Sequence, residues 1–424
     1  MERYDSYKDS GVDWIGQIPE HWELMHLRNF ISLFSEKGFG DLQLLSVTRE
    51  KGVILRDKNN LEENHNFVPD DLSGYKHVKV GDFVINKMKS WQGSYGISKF
   101  EGIVSPAYYT CKLSGVNPEF FSNAIRSKIY SAFFMQFSKG VRVGQWDLDS
   151  NAMKSIPFIL PPISEQQAIA AYLDDETGKL DAAVEKLERM VEVLKERKQL
   201  IISKAVTRGL DDSVPLKDSG VEWIGQIPEH WNLRKIKSVS IFNPSKKTAN
   251  LDLVGYAPME CIRTGAIEIR SISFKQLPTG LTYFENGDLV VAKVTPCFEN
   301  NNIAIAKNLT NGCAFGSSEL FVFRPTNICD KFLFYYFQDE QFKNKCCSTM
   351  RGTGGLKRVQ SDFVLNAKIP YPDLSEQQAI AAYLDEKVGK LDEAIEKQLR
   401  MIELLKERKQ ILISDVVTGK IKVA

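Results

Sequence analysis

Two histidines sit in matching surroundings, His21 in Pro19-Glu20-His21-Trp22 and His230 in Pro228-Glu229-His230-Trp231. An imidazole can act as a general base or a metal ligand, but either role needs a partner carboxylate, thiol or second imidazole. The chain has only 5 histidines and no such cluster beside these two, so both read as packed or hydrogen-bonded side chains. The cysteines, Cys111, Cys261, Cys297, Cys313, Cys329, Cys346 and Cys347, contain no Cys-x-x-Cys pair. All but Cys111 fall in the second half, which argues against a shared disulfide framework or zinc site. They read as reduced, mostly buried thiols. Asp70-Asp71 lacks a lysine at nuclease-like spacing and reads as a solvated turn. Asn243-Pro244-Ser245 lacks the second proline and the aromatic residue of an amino-methyltransferase Asn-Pro-Pro-aromatic motif. No Gly-x-x-x-x-Gly-Lys-Ser/Thr phosphate loop occurs, and no glycine-rich strand-to-helix turn suggests a dinucleotide or adenosyl cofactor. The expectation is a chain without catalytic residues, metal or cofactor of its own.

Other residues suit binding rather than bond-making. Reading duplex DNA takes donors and acceptors that reach base edges and cations that meet phosphates. In the first half, Lys87, Lys89, Trp91, Gln92 and Tyr95 fall in one loop-like stretch, and Arg142 and Gln145 in a second stretch with two glycines. The second half offers Lys293 with Asn300 and Asn301, then Arg351, Lys357 and Arg358 around Gly352, Gly354 and Gly355. Glycines let such loops approach a backbone closely, and arginine or asparagine can make bidentate base contacts. The formal net charge is only +1, so any DNA surface must be a local patch.

These loops are carried by a frame that occurs twice. Lys8-Asp9-Ser10-Gly11-Val12-Asp13-Trp14-Ile15-Gly16-Gln17-Ile18-Pro19-Glu20-His21-Trp22 returns from Lys217 to Trp231 with one change, Asp13 to Glu222. Ser164 to Asp174 returns unchanged as Ser375 to Asp385. The offsets are 209 (217 − 8) and 211 (375 − 164). Residues 25–160 and 234–371 share little beyond Gly81-Asp82-Phe83-Val84-Ile85-Asn86-Lys87 and Gly287-Asp288-Leu289-Val290-Val291-Ala292-Lys293. Like frames around unlike inserts imply one thing that sees both frames alike, and two different things read by the inserts.

The second frame segment reads as a long helix. Prolines 161, 162 and 372 precede Ser-x-x-Gln capping boxes at Ser164–Gln167 and Ser375–Gln378. Beyond them Leu180, Val184, Leu187, Val191, Leu194 and Ile201 alternate in steps that make a heptad seam, with Lys198 inside it. Leu391, Ile395, Gln398, Ile402, Leu405 and Leu412 repeat the pattern, with Lys409 inside. The polar members should fix register and pairing. Two such helices pack most simply on each other, antiparallel if the halves face by a pseudo-two-fold axis. Each helix of residues 164–207 type would span roughly 65 Å. The tryptophan-rich frame segment reads as a docking strap that holds each head to its helix.

A chain of 424 residues exceeds one ordinary core. The divisions expected are a first head at 1–160 with its strap at 8–24, a central helix at 161–215, a second head at 216–372 with its strap at 217–233, and a distal helix at 373–424. The fold class is α+β: two mixed heads joined by two long helices packed as an antiparallel coiled coil. No run approaches the roughly 20 apolar residues that span a bilayer, and no signal peptide opens the chain, so no membrane contact and a cytoplasmic location are expected.

The doubled Trp-Ile-Gly-x-Ile-Pro-x-x-Trp strap and Ser-Glu-Gln-Gln-Ala-Ile-Ala helix start closely resemble the specificity subunit of Type I restriction-modification systems, over nearly the whole chain. That resemblance implies two target-recognition domains, each reading one half of a bipartite asymmetric DNA sequence. It implies that the helices set the spacer and dock two modification subunits, with restriction subunits joining through the complex. S-adenosylmethionine, ATP and Mg would then belong to partner subunits, as would methylation and cleavage. A tandem scaffold binding two proteins is the rival reading of the residues.

Overall fold

The computed structural model describes residues 2–57, 68–142, 145–245, 252–353 and 355–423, and backbone alone at Lys139, Val141, Arg142 and Gln145. Two compact units result: Met1–Leu187 with Arg400–Ala424, and Glu188–Leu399. A central helix, Ile163–Arg208, and a distal helix, Leu374–Val417, each contribute one end to either unit. The heads and helices are therefore not separate bodies, as the four sequence divisions would suggest. Each head shares its core with two helix ends.

In the first unit, Ile31–Phe34, Tyr108–Leu113, Phe83–Asn86 and Tyr95–Ile97, rich in β-branched and aromatic residues, form an antiparallel sheet in that order. Phe83–Asn86 is buried throughout, as befits an interior strand. Two short helices, Pro118–Ile125 and Lys128–Gln136, cover the sheet, the first capped by the Asn117 side chain accepting from the Phe120 N–H at 2.8 Å. Strand Glu23–His26 leaves the strap and pairs antiparallel with Pro157–Leu160, which leads into the central helix. The core runs from Trp22 and Phe158 through Ile169 and Leu173 of the central helix to Leu412 and Val416 of the distal helix. Within this unit the two helices run antiparallel, since Lys409 of one bonds Asp181 of the other while Leu412 and Val416 share that core with Leu173 and Ile169.

The second unit repeats this plan. Ser240–Phe242, Leu320–Pro325, Leu289–Ala292 and Ile303–Ile305 form the matching sheet, and Asn232–Lys235 pairs with Lys368–Tyr371. Its core joins Ile202 and Val206 of the central helix to Ile380 and Leu384 of the distal one. The shared Gly-Asp phrase gains a physical reason. Asp82 and Asp288, 3% and 1% exposed, accept the backbone N–H of Lys79 and Glu285, and each meets a cation, Lys112 or Arg324. Such a buried carboxylate is tolerable only when fully paired.

The units differ outside this shared sheet. The first head adds a hairpin, Leu45–Thr48 with Gly52–Leu55, and a pair, Lys76–Val78 with Gly102–Val104. The second adds a four-stranded sheet in the order Arg270–Ser273, Leu253–Ala257, Cys313–Gly316, Thr282–Glu285, with its inner two strands parallel. Among the described residues no helix is long and apolar enough to cross a membrane.

Candidate nucleic-acid surfaces and helix clamps

Each strap is a short hairpin, Tyr7–Asp9 with Gln17–Pro19 and Leu216–Asp218 with Gln226–Pro228. It delivers a fully buried tryptophan to a glutamate in the first turn of a long helix. In the first unit Glu165 accepts from Trp22 Nε1 at 3.0 Å and Tyr4 Oη at 2.8 Å, and bonds His21 Nε2 at 2.6 Å. In the second, Glu376 accepts from Trp231 Nε1 at 2.9 Å and bonds His230 Nε2 at 3.0 Å. The neighbouring amides work identically: Gln166 accepts the Asn117 N–H and donates to the Pro161 carbonyl, while Gln377 accepts the Cys329 N–H and donates to the Pro372 carbonyl. Burial pushes the Glu165 carboxyl up, but the bonds from Trp22, His21 and Tyr4 outweigh it and hold it below the usual range. His21 and His230 are thus hydrogen-bonded structural groups, and no three-residue cluster of metal-ligating side chains occurs among the described residues.

The capping boxes read from Ser164–Gln167 and Ser375–Gln378 are not made. Both helices begin one residue before the serine, and the distal helix is capped by Asp373, which accepts the Glu376 N–H at 2.8 Å. The glutamine that matters is the first of each pair, because Gln166 and Gln377 are buried. Along the seam, Val191, Ile402 and Leu412 are buried, while Leu180, Val184, Leu187, Leu194, Ile201, Leu391, Ile395, Gln398 and Leu405 are half-buried. The seam lysines cross to the opposite helix: Lys198 bonds Asp392 at 2.6 Å in the second unit and Lys409 bonds Asp181 at 2.6 Å in the first. A second row stays exposed at like steps, Met190, Val193 and Leu200 on the central helix and Met401, Leu404 and Ile411 on the distal one.

Backbone and side-chain bonds join the candidate reading stretches to one another in each head. In the first, Lys87 closes the sheet strand and bonds Asp147 at 3.1 Å, and the Leu148 N–H donates to the Lys87 carbonyl. This joins the 87–95 stretch to the hairpin Ser138–Arg142 with Gln145–Leu148. Lys89 and Gln92 are exposed, and Trp91 is half-buried against Trp146 at 5.3 Å. The side chains of Arg142 and Gln145 lie outside the described residues. Tyr95 is a correction: it is 0% exposed, stacked on Phe134 at 4.2 Å with its hydroxyl near Ser131, and cannot face DNA. Its strand enters the sheet directly beneath the helix Lys128–Gln136, so the aromatic ring is core.

In the second head, Lys293 ends the matching strand, and the 351–358 loop is sewn to it. Val359 N–H donates to the Lys293 carbonyl, Thr295 N–H to that of Lys357, and Arg351 and Arg358 exchange backbone bonds. Arg351, Lys357 and Arg358 are exposed, and Lys293 is half-buried with its ammonium on the Ser318 carbonyl at 2.7 Å. Asn300 and Asn301 sit in the adjoining turn, where the Ala292 N–H donates to the Asn302 carbonyl. Glu319, absent from the sequence-derived set, grips Arg358 at 2.8 and 2.9 Å. That ion pair, helped by Lys293, keeps the Glu319 carboxyl below its ordinary range. The cysteines carry no such feature: Cys111, Cys261, Cys313 and Cys346 are buried, and burial pushes the Cys111 thiol up to about 12.

Known proteins give this arrangement a context. Residues 228–404 match the family model described as the Type I restriction modification DNA specificity domain. The specificity subunit of the MjaVIII Type I restriction enzyme of Methanocaldococcus jannaschii is 25% identical, covering 96% of this chain and 94% of that protein. The EcoAI specificity subunit of Escherichia coli is 32% identical over 184 residues, where the chain spans 31% of the relative. A solved chain from work on assembly and conformational transition of the type I R-M system has a TM-score of 0.67 at 14% identity, covering 95% of this chain and 99% of that one. That likeness is one of fold.

Proposed function

We propose that the chain is a specificity subunit of a Type I restriction-modification system, and that each head reads one half of a bipartite, asymmetric sequence in double-stranded DNA. The observation that carries this reading is the contrast between parts. The clamps at Glu165 and Glu376 use the same residues, whereas the faces around Lys87 and Lys293 differ in side chains and in supporting sheet. A duplication that served structure alone would let both parts drift together.

The exposed rows, Met190, Val193 and Leu200 against Met401, Leu404 and Ile411, are offset by 211 residues (401 − 190) and suit two copies of one partner. We take that partner to be a modification subunit, with restriction subunits joining through the complex. S-adenosylmethionine, ATP and Mg then bind in those partners, and this chain supplies recognition in the cytoplasm without catalysis. The long helices set the distance between the half-sites.

Methylome sequencing of a host expressing the complete system tests the reading. A methylated sequence with two unlike half-sites and a fixed spacer is expected. A palindromic target, or methylation without sequence preference, would overturn it.

A further inference from the structure

The Glu319–Arg358 pair does more than neutralise charge. Arg358 uses its Nε–H and one Nη2–H on the two carboxylate oxygens, a side-on fork. The end-on fork, Nη1 with the second Nη2 proton, meets no partner among the described residues, and the side chain is 46% exposed. The clamp is itself fixed. Ser317 Oγ holds the Glu319 N–H, the Lys293 N–H donates to the Glu319 carbonyl, and the Arg358 backbone is bonded on both sides by Arg351. The free fork therefore has a set direction.

Resting on the reading of this head as a DNA-recognition domain, we propose that Arg358, buttressed by Glu319, reads a guanine in the half-site of the second head. Two parallel N–H donors match the N7 and O6 acceptors that guanine alone presents together in the major groove. A phosphate would also accept two N–H bonds, but it accepts from many directions, so a fixed orientation gains little there. A carboxylate beside a phosphate also repels it. The buttress fits a base edge, where direction decides the contact. Glu319 is the positioning residue and Arg358 the specificity-determining one.

The test uses the complex of this chain with its modification subunits and duplexes carrying the mapped target. Each base pair of the second half-site is replaced in turn, and each guanine is replaced by 7-deazaguanine, which lacks N7. Arg358→Ala should weaken cognate binding about 5- to 150-fold and abolish preference at one G·C pair only. The 7-deazaguanine at that pair should weaken the unaltered complex and leave Arg358→Ala indifferent. Arg358→Lys, with no fork, should not restore preference. Glu319→Gln should lose part of the same preference while binding unrelated DNA no more weakly. Unchanged discrimination at the remaining base pairs of the second half-site shows that the head carrying each variant is folded.

Equal weakening on every duplex, with the salt slope reduced by about one, would make Arg358 a phosphate contact and overturn the inference. Full discrimination in Arg358→Ala would overturn it too. An unaltered complex without sequence preference would instead sink the proposed function beneath it.

Discussion

The two clamps hold the same tryptophan against the same glutamate, yet they are closed by different stretches of chain. In the second unit, Gly209 ends the central helix and Trp231 follows in the same continuous run. In the first, Gly419 ends the distal helix but packs on Pro19 and Trp22 from the far end of the sequence. The Tyr7 hydroxyl donates to the Gly419 carbonyl, and the Lys422 N–H donates to the Glu2 carbonyl, making by hydrogen bonds the connection that the second unit makes covalently. The contact set is thus independent of connectivity. The non-local version must overcome more chain entropy, because its ends are not held near each other beforehand.

Removing the ring should have the largest effect. Trp22→Ala and Trp231→Ala each delete a fully buried indole, with an expected cost of about 3–5 kcal/mol to the unit concerned. Chemical denaturation followed unit by unit, for instance by hydrogen exchange, measures it. Trp22→Ala should cost more, because Tyr4 packs edge-on against Trp22 at 5.6 Å and the second unit has Ser213 at the matching place. Equal losses would mean that the added contacts in the first unit contribute nothing.

The glycines come next. Both have a φ of +75°, where a side chain is strained. A Cβ on Gly419 would collide with the Pro19 ring and lie 3.1 Å from Trp22, whereas on Gly209 it would meet only the edge of Trp231 at 3.2 Å and Glu376 at 3.4 Å. Gly419→Ala should cost about 2–3 kcal/mol and Gly209→Ala about 1 kcal/mol, read as shifts in denaturation midpoint. The reverse order would show that the strap of the first unit yields more easily than that of the second.

These clamps were legible because both copies kept the strap and helix start nearly unchanged, so Trp22, His21 and Glu165 all stood in repeated text. What joined them was not written there, since a glutamate in a first helical turn ordinarily reads as a dipole partner in solvent. The heads were less legible for a different reason. Leu253–Ala257 lies parallel to Cys313–Gly316 across more than fifty residues, and no local pattern announces such pairing. Tyr95 read as a loop aromatic because Gly93, in the left-handed region at φ +90°, looks like loop, yet that turn ends one residue before the strand. Glu319 was invisible because a lone acid before an apolar strand carries no sign of the arginine it will meet.

The glutamates give a third, smaller contrast. Glu165→Gln keeps the shape and removes the charge that strengthens three bonds, for an expected cost of about 1–2 kcal/mol; Glu376→Gln, with two bonds, should cost less. The pH dependence follows. Glu165 titrates below its ordinary value of 4.5 when folded, so its stabilisation is fully present above that value. It drains away as the pH falls through the depressed folded value. Below pH 4.5 the first unit of the unaltered protein should therefore lose stability faster than that of Glu165→Gln. Parallel pH profiles would show that the charge of Glu165 does not matter.

The seam lysines should matter least to stability. Each crosses to the other helix, but Asp392 and Asp181 are half or more exposed, and exposed pairs contribute about 0–1 kcal/mol. The lysines differ in depth, since the Lys198 side chain is 15% exposed and that of Lys409 is 27%. Removing the acid strands the deeper ammonium in poorer solvent, so Asp392→Ala should cost slightly more than Asp181→Ala. Lys198→Met fills the same seam position without a charge and should be neutral or mildly stabilising. A double-mutant cycle over Lys198 and Asp392, set beside one over Lys409 and Asp181, measures both couplings. A coupling above about 2 kcal/mol at either site would mean that the pair is shielded far beyond its exposure and governs stability as well as register.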